Sequence, residues 1–197
     1  MKSLASCTIL FVVLVLTQIS NAHAAQQFSA EDTETILKML GATDRSLPEA
    51  HGCIDQVSKP MNDEQALVFC IHYLYSDGSS PLVKYEENGN ASIRIQDLKN
   101  TAREVLGYAL PLAENFNGKL ANYTVVNGVL QFPVADGVGP DFTIKNIVED
   151  AYGLVRVSFS YKFSEEEDAK PKNGVMILRD NKIPGKRSWH IVYFKES

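Results

Sequence analysis

No apolar stretch in this chain is long enough to cross a membrane as a helix. The longest, Ile9 to Leu16, has eight residues, whereas spanning roughly 30 Å of hydrocarbon takes about 20. A stable membrane span is therefore excluded as an expectation. Positive charge is also short, with 19 Lys plus Arg against 24 Asp plus Glu. Counterion release from phosphates needs clustered Lys and Arg, so an acidic chain without a basic stripe argues against nucleic acid and against anionic membrane surfaces. Local catalytic signatures are missing as well: there is no Ser-centred elbow, no His-Glu-x-x-His helix and no Walker loop. The Gly-rich stretch Asp136 to Pro140 neither follows a strand nor opens a helix at phosphate-cradling spacing, and it reads as a turn. No residue earns a catalytic role, and no metal or cofactor is expected.

What is present begins with an export leader. Lys2 precedes the apolar run, and polar Thr17, Gln18, Ser20 and Asn21 lead to Ala22-His23-Ala24. This is the pattern of a secretory signal peptide cut after Ala24. Leu4-Ala5-Ser6-Cys7 resembles a lipoprotein box, but it comes before the apolar run instead of after it. Residues 25 to 197 then form one domain of 173 residues with a formal charge of −6, since Lys2 is the only charged residue lost. The expected location is periplasmic or extracellular, and the short, weakly charged leader favours the periplasm. Cys7 leaves with the leader. The remaining pair, Cys53 and Cys70, is expected to form one disulfide in an oxidising compartment, contributing on the order of 3 kcal/mol.

The clearest element is Leu154 to Phe163. Val155, Val157, Phe159, Tyr161 and Phe163 alternate with Arg156, Ser158, Ser160 and Lys162, the period of a strand with one buried face. Upstream, Ser29 with Asp32 starts a helix from about Ala30 to Leu40, with Gly41 as its stop, and Ala42 to Lys59 reads as a loop. Asn62 with Gln65 opens a largely buried helix ending near Tyr75. Two short strands, Leu82 to Tyr85 and Ala91 to Ile95, turn at Asn88-Gly89. Leu98, Ala102, Val105, Leu106 and Ala109 define a third helix that starts near Asp97 and is broken at Pro111. Asn127-Gly128 between Tyr123 to Val126 and Val129 to Phe132 is a hairpin signal. Strands follow at Asp141 to Val148, Val175 to Leu178 and Trp189 to Phe194, with Asp150 to Gly153 turning between the first of these and Leu154.

Four features could carry chemistry. His51-x-Cys53 and Cys70-x-His72 have the residue types of a zinc site, but residues two apart on a helix point about 200° apart, so Cys70 and His72 cannot readily share an ion. His190 lies between Trp189 and Ile191 and should face opposite to both, as a surface residue unless the sheet curls around it. Glu165-Glu166-Glu167-Asp168 reads as a solvated tip. Asn90-Ala91-Ser92 and Asn122-Tyr123-Thr124 fit the N-glycosylation pattern, which acts only in a eukaryote.

The order of elements from Asn62 to Phe194, with its closing run Trp189-His190-Ile191-Val192-Tyr193-Phe194, resembles the NTF2-like superfamily. The resemblance implies an α+β fold in which N-terminal helices pack on a curved antiparallel sheet around a cone-shaped cavity, with acids, tyrosines or histidines inside the cone in catalytic members. It carries no specific motif, and no such pair maps onto this chain residue by residue. The expected function is that of an exported, non-catalytic binding protein, of inhibitor or immunity type, whose partner is another protein. The alternative is a carrier of a small apolar ligand, or an NTF2-like enzyme, using the cone.

Overall fold

The computed structural model describes residues 28–46, 53–55, 61–75, 80–87, 89–110, 123–134, 139–163, 170–181 and 188–196. Among them the chain is α+β, with three helices and two antiparallel sheets. The leader, Pro111, Asn122 and the acidic run Glu165 to Asp168 lie outside the described residues. No described helix is long and apolar enough to cross a membrane.

Helix α1 spans Ala30–Ser46. Its first turn is closed by a reciprocal cap: the Asp32 N–H donates to Ser29 Oγ at 3.0 Å, and the Ser29 N–H donates to Asp32 Oδ2 at 2.8 Å. The stop expected at Gly41 does not operate. Ala42, Thr43 and Ser46 continue the buried stripe of Ile36, Met39 and Leu40, so burial of a further turn outweighs the roughly 1 kcal/mol that a helical glycine costs. The Thr43 hydroxyl also bonds back to the Met39 carbonyl at 2.7 Å. The loop read from Ala42 onward is likewise corrected by strand β1, Cys53–Asp55.

Helix α2, Asp63–Tyr75, starts as its capping signal requires. The Gln65 N–H donates to Asn62 Oδ1 at 2.8 Å, and the Asn62 N–H donates to Gln65 Oε1 at 3.0 Å. Strands β2, Val83–Tyr85, and β3, Asn90–Arg94, pair antiparallel. Helix α3 spans Ile95–Val105, two residues ahead of the expected start. Strands β4, Thr124–Val126, and β5, Val129–Pro133, flank Asn127 and Gly128 at φ +50° and +73°, the positive pair that a type I′ turn demands. These four strands form one sheet in the order β2-β3-β5-β4.

The larger sheet holds β6, Pro140–Glu149, β7, Leu154–Phe163, β8, Lys172–Asp180, and β9, Trp189–Glu196. Its order is β1-β9-β8-β7-β6, so β8 is the middle strand and β7 lies one in from the edge. Along β7, Val155, Val157, Phe159 and Tyr161 are buried and Arg156 is exposed, as the alternation requires. Two positions depart from it: Ser160 is buried, and Phe163 is 38 % exposed. Register shifts at Ile144/Asn146 and at Ile177/Leu178 bend the strands locally. Helices and both sheets share one apolar core, in which Trp189, Phe69, Phe159 and Phe194 are the largest fully buried side chains. Each such side chain contributes roughly 1.5–3 kcal/mol through removal from water.

The expected Cys53–Cys70 bridge is not seen. Cys70 is a free thiol with no exposed surface in α2, whereas the register of β1 sets Cys53 opposite exposed Lys195. Burial pushes the Cys70 thiol pKa far up, so the group stays protonated and inert.

Candidate functional site

Strand pairing brings together residues that lie far apart in the sequence. On β7, Tyr161 sits in a ring cluster, 5.8 Å from Phe142 and 6.3 Å from both Phe159 and Phe163 between centroids. Phe159 pairs with Gly174, and Gly174 with Glu196, so Glu196 lies across the sheet from that cluster. The Tyr161 hydroxyl and the Glu196 carboxyl share a hydrogen bond. Lys172 lies 6.0 Å from the centre of the Tyr161 ring. From the last turn of α1, Asp44 adds a second carboxyl and Arg45 a guanidinium, the latter packed against Gly139.

The electrostatics follow from burial and like charge. Desolvation raises the Asp44 carboxyl, opposed by Arg45. Desolvation and then the Asp44 charge raise Glu196, opposed by the Tyr161 hydrogen bond and Lys172. Tyr161 is pushed up to about 12, first by burial and then by the Glu196 charge. On α2, burial and Arg45 pull His72 down to about 4. Two carboxyls beside a neutral phenol can hold and pass a proton.

His190 is held by a different network. Asn181 Nδ2 donates to the Glu104 carbonyl at 2.6 Å and to Ser188 Oγ at 3.0 Å. Asn181 Oδ1 is then the acceptor, which makes His190 Nδ1 the donor across 2.5 Å and fixes the imidazole tautomer. The ring also lies against Gly107, where a Cβ would come within 3.1 Å of it. Trp189 and Ile191 are buried, as the alternation predicts, but His190 is half-buried and engaged instead of a bare surface residue. Desolvation, and secondarily Arg179, lowers its pKa.

A cleft of about 460 Å³ opens beside this network, between α1, α2, α3 and the start of β9. Glu31, Asp32, Glu104, Tyr73, Ser188 and Trp189 are among its walls. Its lining is mostly polar and acidic, unlike the apolar enclosure a carrier would need.

On the outer rim, Tyr152 is 91 % exposed at the tip of the β6–β7 hairpin, with Val148 50 % exposed on the same arm. The tip is braced. Asp150 Oδ1 accepts from the N–H of Tyr152 at 2.8 Å and of Leu154 at 2.9 Å, and the Asp150 N–H donates to the Leu154 carbonyl at 2.9 Å. The sequence reveals the turn but carries no signal that its tyrosine stands clear of the surface.

Cys70 and His72 share α2, while His51 and the Cys53 side chain lie outside what is described. Among the described residues, no three His, Cys, Asp or Glu side chains converge as metal ligands would. The chain matches no family model, no curated protein and no solved structure.

Proposed function

We propose that the chain is an exported, non-catalytic binding protein of inhibitor or immunity type, and that it grips another protein through the β6–β7 hairpin. The observation that carries this reading is Tyr152, a nearly fully exposed aromatic on a tip fixed by four hydrogen bonds to Asp150 and its backbone. Tyrosine is enriched among residues that dominate binding energy, and a rigid tip loses little freedom when it docks. Glu149 and Asp150 flank it, and the whole chain is acidic, so the partner should offer an apolar pocket with a basic rim. The leader pattern over residues 1–24 supports a working location in the periplasm or outside the cell.

The test is a photo-crosslinker at position 152 in the exporting cell. A single defined protein captured there, and not from exposed position Lys145 on the same hairpin, supports the reading; no capture, or equal capture from both positions, overturns it.

A second reading, an NTF2-like enzyme, is favoured by the Tyr161–Glu196–Asp44 cluster, since acids and tyrosines are what that superfamily uses inside its cone. Native mass spectrometry of the protein from its own compartment separates the two. A small-molecule adduct lost on denaturation favours the enzyme or a carrier, and a bound protein favours the inhibitor.

A further inference from the structure

The cleft beside the Asn181 network and the hairpin that carries Tyr152 lie at the same end of the larger sheet. Leu154 opens β7 directly after the tip, and the register sets it opposite Arg179, which in turn stands opposite His190 at the start of β9. Only β8 separates β7 from β9, so at about 4.8 Å per strand the starts of the two are about 10 Å apart across the sheet. Three walls of the cleft are carboxylates, Glu31, Asp32 and Glu104, and its described walls include no Lys, Arg or His. Like charges gathered in a concavity focus the field and draw a cation in. Tyr73, another wall, is half-buried. Carboxylates beside an aromatic ring suit the flat guanidinium of arginine, which forks onto a carboxylate and stacks on a ring, better than the compact, strongly hydrated ammonium of lysine. The volume of about 460 Å³ has room for such a side chain. The fold itself fixes the walls: Ser29 and Asp32 cap each other at 2.8 and 3.0 Å, and Asn181 ties the Glu104 carbonyl to Ser188 Oγ. A site shaped in advance gives up little freedom on binding.

We propose that this cleft receives an arginine side chain of the same partner protein whose pocket takes Tyr152, so that cleft and hairpin tip form one docking surface. The tyrosine enters the partner while the partner's arginine enters this chain. The cleft's preference for arginine stands on its own walls; that the arginine belongs to the hairpin's partner rests on the binding reading given above. Insertion in both directions fixes the orientation of the complex, because a partner turned about the tyrosine withdraws its arginine from the carboxylates.

NMR of the intact chain with N-acetyl-arginine amide as the probe tests the cleft. The Trp189 indole N–H and the backbone amides of Ser29 and Val105 should shift and saturate in the millimolar range, while the amides of residues 150–153 stay in place. The citrulline analogue, of the same shape without the charge, should move none of them, and the lysine analogue should bind several-fold more weakly. Glu31→Gln combined with Glu104→Gln should weaken the arginine probe about tenfold. If the pair fails to fold, Glu31→Gln alone carries the test, since Glu31 is exposed and such substitutions barely change stability. The shared partner is read by photo-crosslinking at residue 152 in the exporting cell, where the same charge-neutral variant should cut capture about tenfold. No shift, an equal response to the citrulline or lysine analogue, or a probe affinity untouched by the variant overturns the arginine cleft. A cleft that binds the probe while capture at residue 152 is undiminished in the variant overturns the shared partner and leaves the hairpin reading standing. No capture from the wild type overturns the hairpin reading and the shared partner together, and the cleft is then decided by the probe.

Discussion

Gly174 lies directly against the ring of Phe159, its antiparallel partner: a Cβ at residue 174 would overlap the ring's Cζ and sit 3.0 Å from the Lys195 carbonyl oxygen. Phe159 is 1 % exposed and stacks on Phe194 at 5.6 Å, so the ring has nowhere to go. Gly174→Ala should therefore destabilise the protein by about 1–3 kcal/mol, as overpacking does. Gly41 is the contrasting case, in mid-helix with nothing within 4 Å of the place a methyl would take. Gly41→Ala should stabilise by about 0.5–1 kcal/mol. Urea denaturation of the two variants should move the midpoint in opposite directions.

At the hairpin tip, stability and binding should separate. Tyr152→Ala removes an exposed side chain and should leave stability within about 0.5 kcal/mol of the wild type, as surface substitutions do. Asp150→Ala removes an acceptor of two backbone N–H groups and should cost about 1 kcal/mol, with faster amide exchange confined to residues 151–154. A Tyr152→Ala variant that unfolds readily would show that the ring is a structural prop.

His72 sets the acid limit. Its folded value of about 4 lies below the ordinary value of 6.5, so the unfolded chain binds the proton first. Its contribution is complete above 6.5 and is lost as pH falls towards 4. His72→Gln should flatten that limb of a stability-against-pH curve measured by urea titration, and an unchanged limb would assign it to other groups.

Cys70 should be silent to thiol reagents in the folded protein and react at once in denaturant without any reductant, because its thiol is free and has no exposed surface. Alkylation followed by mass spectrometry reads both states. Cys70 recovered in a peptide linked to Cys53 would contradict the free thiol.

Arg179 stands across the strand pair from His190 and depresses its pKa secondarily to burial. Arg179→Gln should raise the His190 titration point in NMR without restoring the ordinary value. Asn181→Ala should cost about 1–3 kcal/mol, since the Glu104 carbonyl and His190 Nδ1 both lose their partner.

Local signals in the sequence were readable where the physics is local. The reciprocal caps at Ser29/Asp32 and Asn62/Gln65, the Asn127-Gly128 turn and the alternation of β7 all lie within a few residues of their cause. Sheet membership was not readable, because period two says that a residue lies in a strand but not which strand it pairs with. The three residues of β1 are too few to show a period, and their partner β9 lies far along the chain. The candidate site failed to show for the same reason. Tyr161, Glu196 and Asp44 belong to three elements, and only the folded arrangement lets their charges act on one another. The face of His190 was legible from its neighbours, but its partner Asn181, nine residues away in the sequence, was not.

The place of β9 between β1 and β8 sets the order in which the chain can finish folding. Two of the four pairings in the larger sheet, and the contact of α3 with β9, wait for β9 to leave the ribosome. The helices emerge earlier but have no complete surface to settle on. Pairing between distant segments is slow to form, so the nascent chain stays loose until β9 has been made. Under the export proposed above, a polypeptide that has to be threaded through a translocation channel before it folds gains from such a delay, which lies in the strand order itself.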